Sequence, residues 1–119
     1  MDRELPVERF LPLRPVEFEI LLSLSAGDRH GYGIIQDAES RALGTVPDVG
    51  TLYRGLRRLE DQGMVKAAGR RESAGSVDER RNYYTITALG RRVARAEARR
   101  LVALTRAARS SGLLDAEAT

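Results

Sequence analysis

Thr51, Arg54, Arg57, Arg58 and Asp61 recur at a spacing that gathers them on one face of a helix. Val49, Leu52, Leu56 and Leu59 form an apolar stripe along the other side. A helix built this way docks through its stripe and presents donors opposite. The guanidinium fork gives two parallel hydrogen bonds to O6 and N7 of guanine, and it also neutralises phosphate. A second arginine set follows. Arg70 and Arg71 close one strand candidate and Arg80 and Arg81 open the next, so four guanidiniums flank a single loop. Like charges crowded together destabilise unless solvent or anions meet them, and Asp78 and Glu79 offset only part of this charge. Either set alone reads equally well as a solvated face. Two sets on consecutive elements point to a polyanion.

The same inventory closes off other chemistry. The chain has no cysteine, which removes disulfides, thiolate metal sites and thiol nucleophiles. Its one histidine, His30, precedes Gly31 at a helix start with no second imidazole nearby, so capping or packing is favoured over metal binding. Gly31 and Gly33 lack the preceding strand and remaining glycine of a dinucleotide fingerprint. With no nucleophile motif and only scattered acids, the chain reads as no enzyme, with no cofactor and no metal. Its longest apolar run, around Ile20-Leu21-Leu22, is too short to span a bilayer, so no membrane role is expected. Met1-Asp2-Arg3-Glu4 lacks the layout of a secretion signal, and a cytoplasmic location is expected.

The elements that must hold these residues follow from periodicity and punctuation. Pro15 starts a first helix with Phe18, Leu21, Leu22 and Ser25 as its stripe, broadened by Ile20 and Leu24, and Gly27 closes it. A second helix spans about 31–42, with Ile34, Ile35, Ala38 and Ala42 inward. The turn through Gly44 and Pro47 leads to Asp48, which caps a third helix from Val49 to Gln62, ended by Gly63. The period then changes. Residues 64–70 and 80–86 alternate as two strands of a hairpin, with Val65 and Ala67 on one face of the first. Asn82, Tyr84 and Ile86 share one face of the second and Arg81, Tyr83 and Thr85 the other. Tyr84 therefore reads as core, while Tyr83 faces away and is open to a ligand or a phosphate. Thr87 caps a last helix that runs to about Arg109. The result is a mostly α chain with a small β-hairpin, in the order of a winged helix-turn-helix with an added C-terminal helix.

Charge is divided along the same lines. Residues 1–48 carry a net −4, residues 49–110 a net +9 and residues 111–119 a net −2. Nineteen of the twenty basic residues are Arg, so composition alone decides little and the positions of the arginines carry the argument.

Several segments taken together resemble the PadR family of bacterial transcriptional regulators. They are Leu13 through Leu24 with Glu17-Phe18, then His30-Gly31-Tyr32-Gly33-Ile34, then Gly50 through Glu60 and Gly63-Met64-Val65, and finally Arg80 through Gly90. The His-Gly-Tyr-Gly and Thr-Leu-Tyr-Arg pieces are specific in combination. The resemblance implies a dimer whose third helix enters the major groove of duplex DNA and whose wing meets the neighbouring backbone. It makes Thr51, Tyr53, Arg54 and Arg58 the first candidates for contact, although Tyr53 can equally pack on the core. It also implies repression that a small-molecule effector relieves. One departure is the C-terminal region, a single helix where longer members carry a larger domain.

On that last helix Leu89, Val93, Ala96, Leu101, Leu104 and Ala108 line one broad stripe, and Arg92, Arg95, Arg99 and Arg106 line another side. A stripe on a helix projecting from a filled core needs a partner helix, so these residues are the expected homodimer seam. The chain thus divides into an N-terminal arm at 1–12, a DNA-binding domain at 13–87, a dimerisation helix at 88–110 and an acidic tail at 111–119. An inverted-repeat operator follows from two-fold symmetry. An RNA-binding or protein-interaction role for the winged helix stays open at this stage.

Overall fold

The computed structural model of the chain describes residues 6–41, 46–70 and 82–114. In chain order these form a 3-10 turn at Val7–Phe10, α1 at Pro15–Leu24, β1 at Arg29–His30, α2 at Gly31–Arg41 and α3 at Val49–Asp61. They continue as β2 at Val65–Arg70, β3 at Asn82–Ile86 and α4 at Ala88–Ser110. The strands make one antiparallel sheet in the order β1-β3-β2. Three helices with a sheet against their open end, followed by a long helix, is the expected winged helix-turn-helix.

Local chemistry sets the boundaries. The Asp48 carboxylate accepts the Thr51 backbone N–H at 2.8 Å and starts α3. At its far end Gly63, at φ 81, takes the left-handed conformation that lets the Met64 N–H reach back to the Leu59 carbonyl at 2.9 Å. Thr87 then does two things. Its hydroxyl accepts the Gly90 N–H at 3.0 Å and donates to the Gly63 carbonyl at 2.6 Å. Gly90 itself sits so close to β2 that an added Cβ would stand 2.2 Å from the Met64 carbonyl oxygen. The end of α3 and the root of α4 are thereby joined.

Ile20, Leu21 and Leu24 of α1, Ile34 of α2 and Leu52, Leu56 and Leu59 of α3 meet in one core. Met64, Val65 and Ile86 of the sheet region and Val93 of α4 complete it. Burying each such side chain is worth roughly 1.5–3 kcal/mol against leaving it in water. Beside the core an ion network ties α1, α2 and β1 together. Arg41 pairs with Glu19 and, at 2.6 Å, with Asp37, while Arg29 reaches Asp37 at 3.5 Å. Burial works to raise the Asp37 carboxyl, but hydrogen bonds with Ser23 and Arg41 and the charges of Arg29 and Arg41 outweigh it and hold it below its ordinary value.

Several expectations are corrected. The buried face of α1 runs Glu17, Ile20, Leu21, Leu24, whereas Leu22 and Ser25 are exposed and Phe18 is half-buried. With Ser23 also buried, two polar residues stand on the inner face, and for that reason an apolar count places the stripe one position off. Val49 is exposed, since the first turn of α3 overhangs the core. The sheet gains β1, a two-residue strand pairing Arg29 with Tyr84 and His30 with Tyr83. Val65 and Ala67 pair in regular register with Ile86 and Tyr84 and so share a face. Only Val65 reaches the core, while Ala67 is exposed, and the register shifts beyond it, before Gly69. The segment expected to be an irregular arm folds its 3-10 turn against α4, with Val7, Phe10 and Leu11 on the core. Ala42, Gly44, the hairpin tip with Asp78 and Glu79, and most of the acidic tail lie outside the described residues.

Candidate nucleic-acid interface

The leucines of the α3 stripe are consumed inside the chain, with Leu52, Leu56 and Leu59 buried and Val49 left exposed at the first turn. That fixes how the helix rotates about its axis and therefore what it offers to solvent. Arg54, Arg57 and Asp61 face outward. Arg54 Nη2 donates to the Thr51 hydroxyl at 3.2 Å, and Nη1 would lie 3.3 Å from a Cβ on Gly50. Its guanidinium therefore folds back over the first turn. There the Thr51 backbone N–H, the Thr51 side chain and the Arg54 charge hold the Asp48 carboxyl below its ordinary value, which keeps the cap ionised.

The two flanks of α3 differ. On the α1 side Arg58 Nε donates to Glu17 Oε2 at 2.5 Å. Glu17 is almost completely buried, while about a third of the Arg58 side chain stays exposed. On the α2 side Tyr53 lies across the start of α2, where a Cβ on Gly31 would come 2.3 Å from its hydroxyl oxygen. Its ring remains half exposed, and with Tyr32, Ile35 and Val49 it lines a shallow hollow of about 180 Å³. Tyr53 thus combines both roles left open by the sequence, a packed edge and an accessible one. Tyr32, exposed at the first turn of α2, and Glu17 figure in the sequence only as parts of the resemblance, with no role at this surface assigned to either. Tyr32 had a signal in its place after Gly31. The pairing of Glu17 with Arg58 had none, because the two lie 41 positions apart.

His30 acts as a cap: its Nδ1 accepts the Gly33 backbone N–H at 2.9 Å. Its ring also meets Tyr83 edge-on at 5.1 Å, so Tyr83 packs on β1 instead of facing an open surface. Tyr84 is half-buried against the core, and burial pushes its phenol up, with the neighbouring Tyr53 and Glu60 adding to the shift. On the wing, Lys66 and Asn82 are exposed. Arg71, Arg80 and Arg81 lie outside the described residues, and Arg70 is described only as the last backbone position of β2. Among the described residues no group of three metal-ligating side chains converges, and no helix is long and apolar enough to cross a membrane.

The expected seam on α4 divides. Val93 is fully buried in its own chain and is not left for a partner, and Leu89 is half-buried against the same core. Ala96 and Ala108 are half-buried. Leu101 and Leu104 are exposed, and Val102 joins them. Toward the root of α4, Phe18, Leu22, Ala94 and Ala98 line an open apolar groove of about 220 Å³ between α1 and α4.

Comparison with known proteins adds to this geometry. Residues 20–96 match the family model described as the transcriptional regulator PadR-like family. Among solved structures, a transcriptional regulator from Clostridium thermocellum is 27% identical with a TM-score of 0.68, over 80% of this chain and 87% of that one. A PadR family transcription regulator from Clostridium difficile is 23% identical with a TM-score of 0.67, over 80% of this chain and 95% of that one. Bacillus subtilis PadR in complex with operator DNA is 23% identical with a TM-score of 0.59, over 71% of this chain but 46% of that one. No curated protein matches by sequence.

Proposed function

The chain belongs to the PadR-like family of transcriptional regulators, and we propose that it is a dimeric repressor that reads an inverted-repeat operator in duplex DNA. As members are transcriptional regulators, the enzyme reading is closed by family and not only by missing motifs. One observation carries the proposal. Leu52, Leu56 and Leu59 of α3 are buried by its own chain while Arg54 and Arg57 stand opposite them in solvent, flanked by Thr51, Arg58 and Tyr53. In this reading α3 enters the major groove, Arg54, Arg57 and Arg58 supply forks to guanine edges and phosphates, and Thr51 and Tyr53 add hydroxyls. Arg70, Arg71, Arg80 and Arg81 meet the adjacent backbone from the wing.

Dimerisation through the distal part of α4 is supported by the exposure of Leu101 and Leu104. Leu101 and Leu104 are about half exposed, so each contributes about half of the roughly 1.5–3 kcal/mol of a full burial, and the four of a symmetric pair offset part of the cost of association. The half-sites then lie about one helical turn, near 10 base pairs, or a multiple of it apart. Relief by a small-molecule effector belongs to the same proposal, and the apolar groove between α1 and α4 is its candidate seat. A cytoplasmic regulator with duplex DNA as its partner completes the reading.

Selection of duplexes from a random pool, followed by affinity measured against salt, tests it. The enriched sequence should be an inverted repeat. Six to ten phosphate contacts make affinity fall by about 10³–10⁵ between 50 and 200 mM salt. A flat salt dependence with no enriched duplex is the result that defeats the proposal, and tighter binding to single-stranded RNA would transfer it to the RNA-binding alternative.

A further inference from the structure

Glu17 occupies a core position on α1 and yet carries a charge whose partner is on α3. Its Oε2 takes Arg58 Nε at 2.5 Å, and its Oε1 accepts the Arg14 backbone N–H at 3.4 Å. The carboxylate is almost completely buried, whereas Arg58 reaches solvent beside Thr51 and Arg54. Burying a carboxylate is costly unless it is paired and hydrogen-bonded, and here the compensating charge comes from the one helix offered to DNA. We propose that Glu17 is a specificity-determining positioning residue, which grips Arg58 through Nε and cancels the charge that Arg58 would otherwise present to any phosphate. This rests on the reading of α3 as the helix that contacts DNA.

The physical logic separates two kinds of contact. Affinity for arbitrary DNA follows the number of uncompensated cations brought to phosphate, because each releases counterions. Hydrogen bonds to a base edge need donors at fixed positions, and a paired guanidinium keeps donors beyond Nε. A buried carboxylate behind Arg58 therefore removes general affinity while fixing the direction of the fork. Arg57, on the same helix, is exposed and meets no carboxylate among the described residues, so the two neighbouring arginines are assigned different tasks.

The test uses the full chain, a duplex selected from a random pool by the wild type, and a random-sequence duplex of equal length. Glu17→Gln keeps the shape and an acceptor for Nε but restores the charge. Binding to the random duplex should tighten, its salt slope should steepen by about one per protomer, and discrimination should fall roughly fivefold or more. Adding Arg58→Ala should abolish that steepening. Glu17→Asp keeps the charge but draws the carboxylate back by one methylene, so it should lose discrimination with the random-duplex slope unchanged. It also serves if the Gln variant does not fold. Wild-type discrimination and slope in both variants, at whatever thermal stability, overturn the proposal and leave the reading of α3 intact. Failure of the wild type to select any duplex overturns both.

Discussion

Helix α3 and the distal half of α4 look alike in sequence, since each sets an apolar stripe opposite a row of arginines. Their surroundings separate them. In α3 every stripe leucine is covered by α1, α2 and the sheet, so the helix is locked in rotation and its arginines point in settled directions. In α4 full burial ends at Glu97, and beyond it Leu101, Val102 and Leu104 are exposed. A stripe consumed within the chain thus marks a helix that presents something. A stripe left over marks a helix that still has to be received.

The strongest way to break this contrast is to place charge on each stripe. Leu101→Asp with Leu104→Asp should leave a folded monomer by ultracentrifugation, with operator affinity lost by orders of magnitude and random-duplex affinity little changed. Leu56→Asp should not fold at all. An undisturbed dimer in the first variant would remove α4 from the seam.

Smaller changes sharpen the contrast between the arginine rows. Arg54→Ala should cost about 1–3 kcal/mol of discrimination between selected and random duplexes. Arg99→Ala on α4 should leave that ratio within experimental error. Equal losses from both would mean that α3 does not read sequence.

The gentlest probe concerns the frame that holds α3. The Asp37 carboxyl is held below its ordinary value of 3.8 in the folded chain, so its contribution is complete above that value and is lost as pH falls through the depressed one. Stability should therefore decline in acid below about pH 4, and Asp37→Asn should flatten the decline while lowering stability at neutral pH. Urea melts across pH check this. A variant as acid-sensitive as the wild type would take Asp37 out of the account.

What the sequence disclosed was whatever a few neighbouring residues decide. The Asp48 cap, the stop at Gly63, the Thr87 cap and the buried leucines of α3 are local, and all were legible. Pairings between distant segments were not. β1 is two residues long and exists only because β3 lies beside it, so no periodicity could reveal it. Val93 and Leu104 belong to one stripe on a helical wheel, and only the packing of the core, which covers Val93, tells them apart. The charge of Glu17 disguised the true inner face of α1, because a stripe beginning with a carboxylate does not read as apolar. The arginines expected at the wing stay an expectation, because Arg71, Arg80 and Arg81 fall outside the described residues.

The junction at Thr87 has a consequence for measurement at a distance. Its hydroxyl bridges the carbonyl that ends α3 to the amide that begins α4, and Gly90 lets α4 seat directly on the backbone of Met64. Two subunits joined through α4 would then form a calliper whose jaws are the two copies of α3 and whose joints are two such bridges. The gap between the jaws would be set by a hydroxyl and a missing Cβ, with no flexible tether between jaw and arm. A tilt of α4, however it arose, would reach the jaws nearly undiminished.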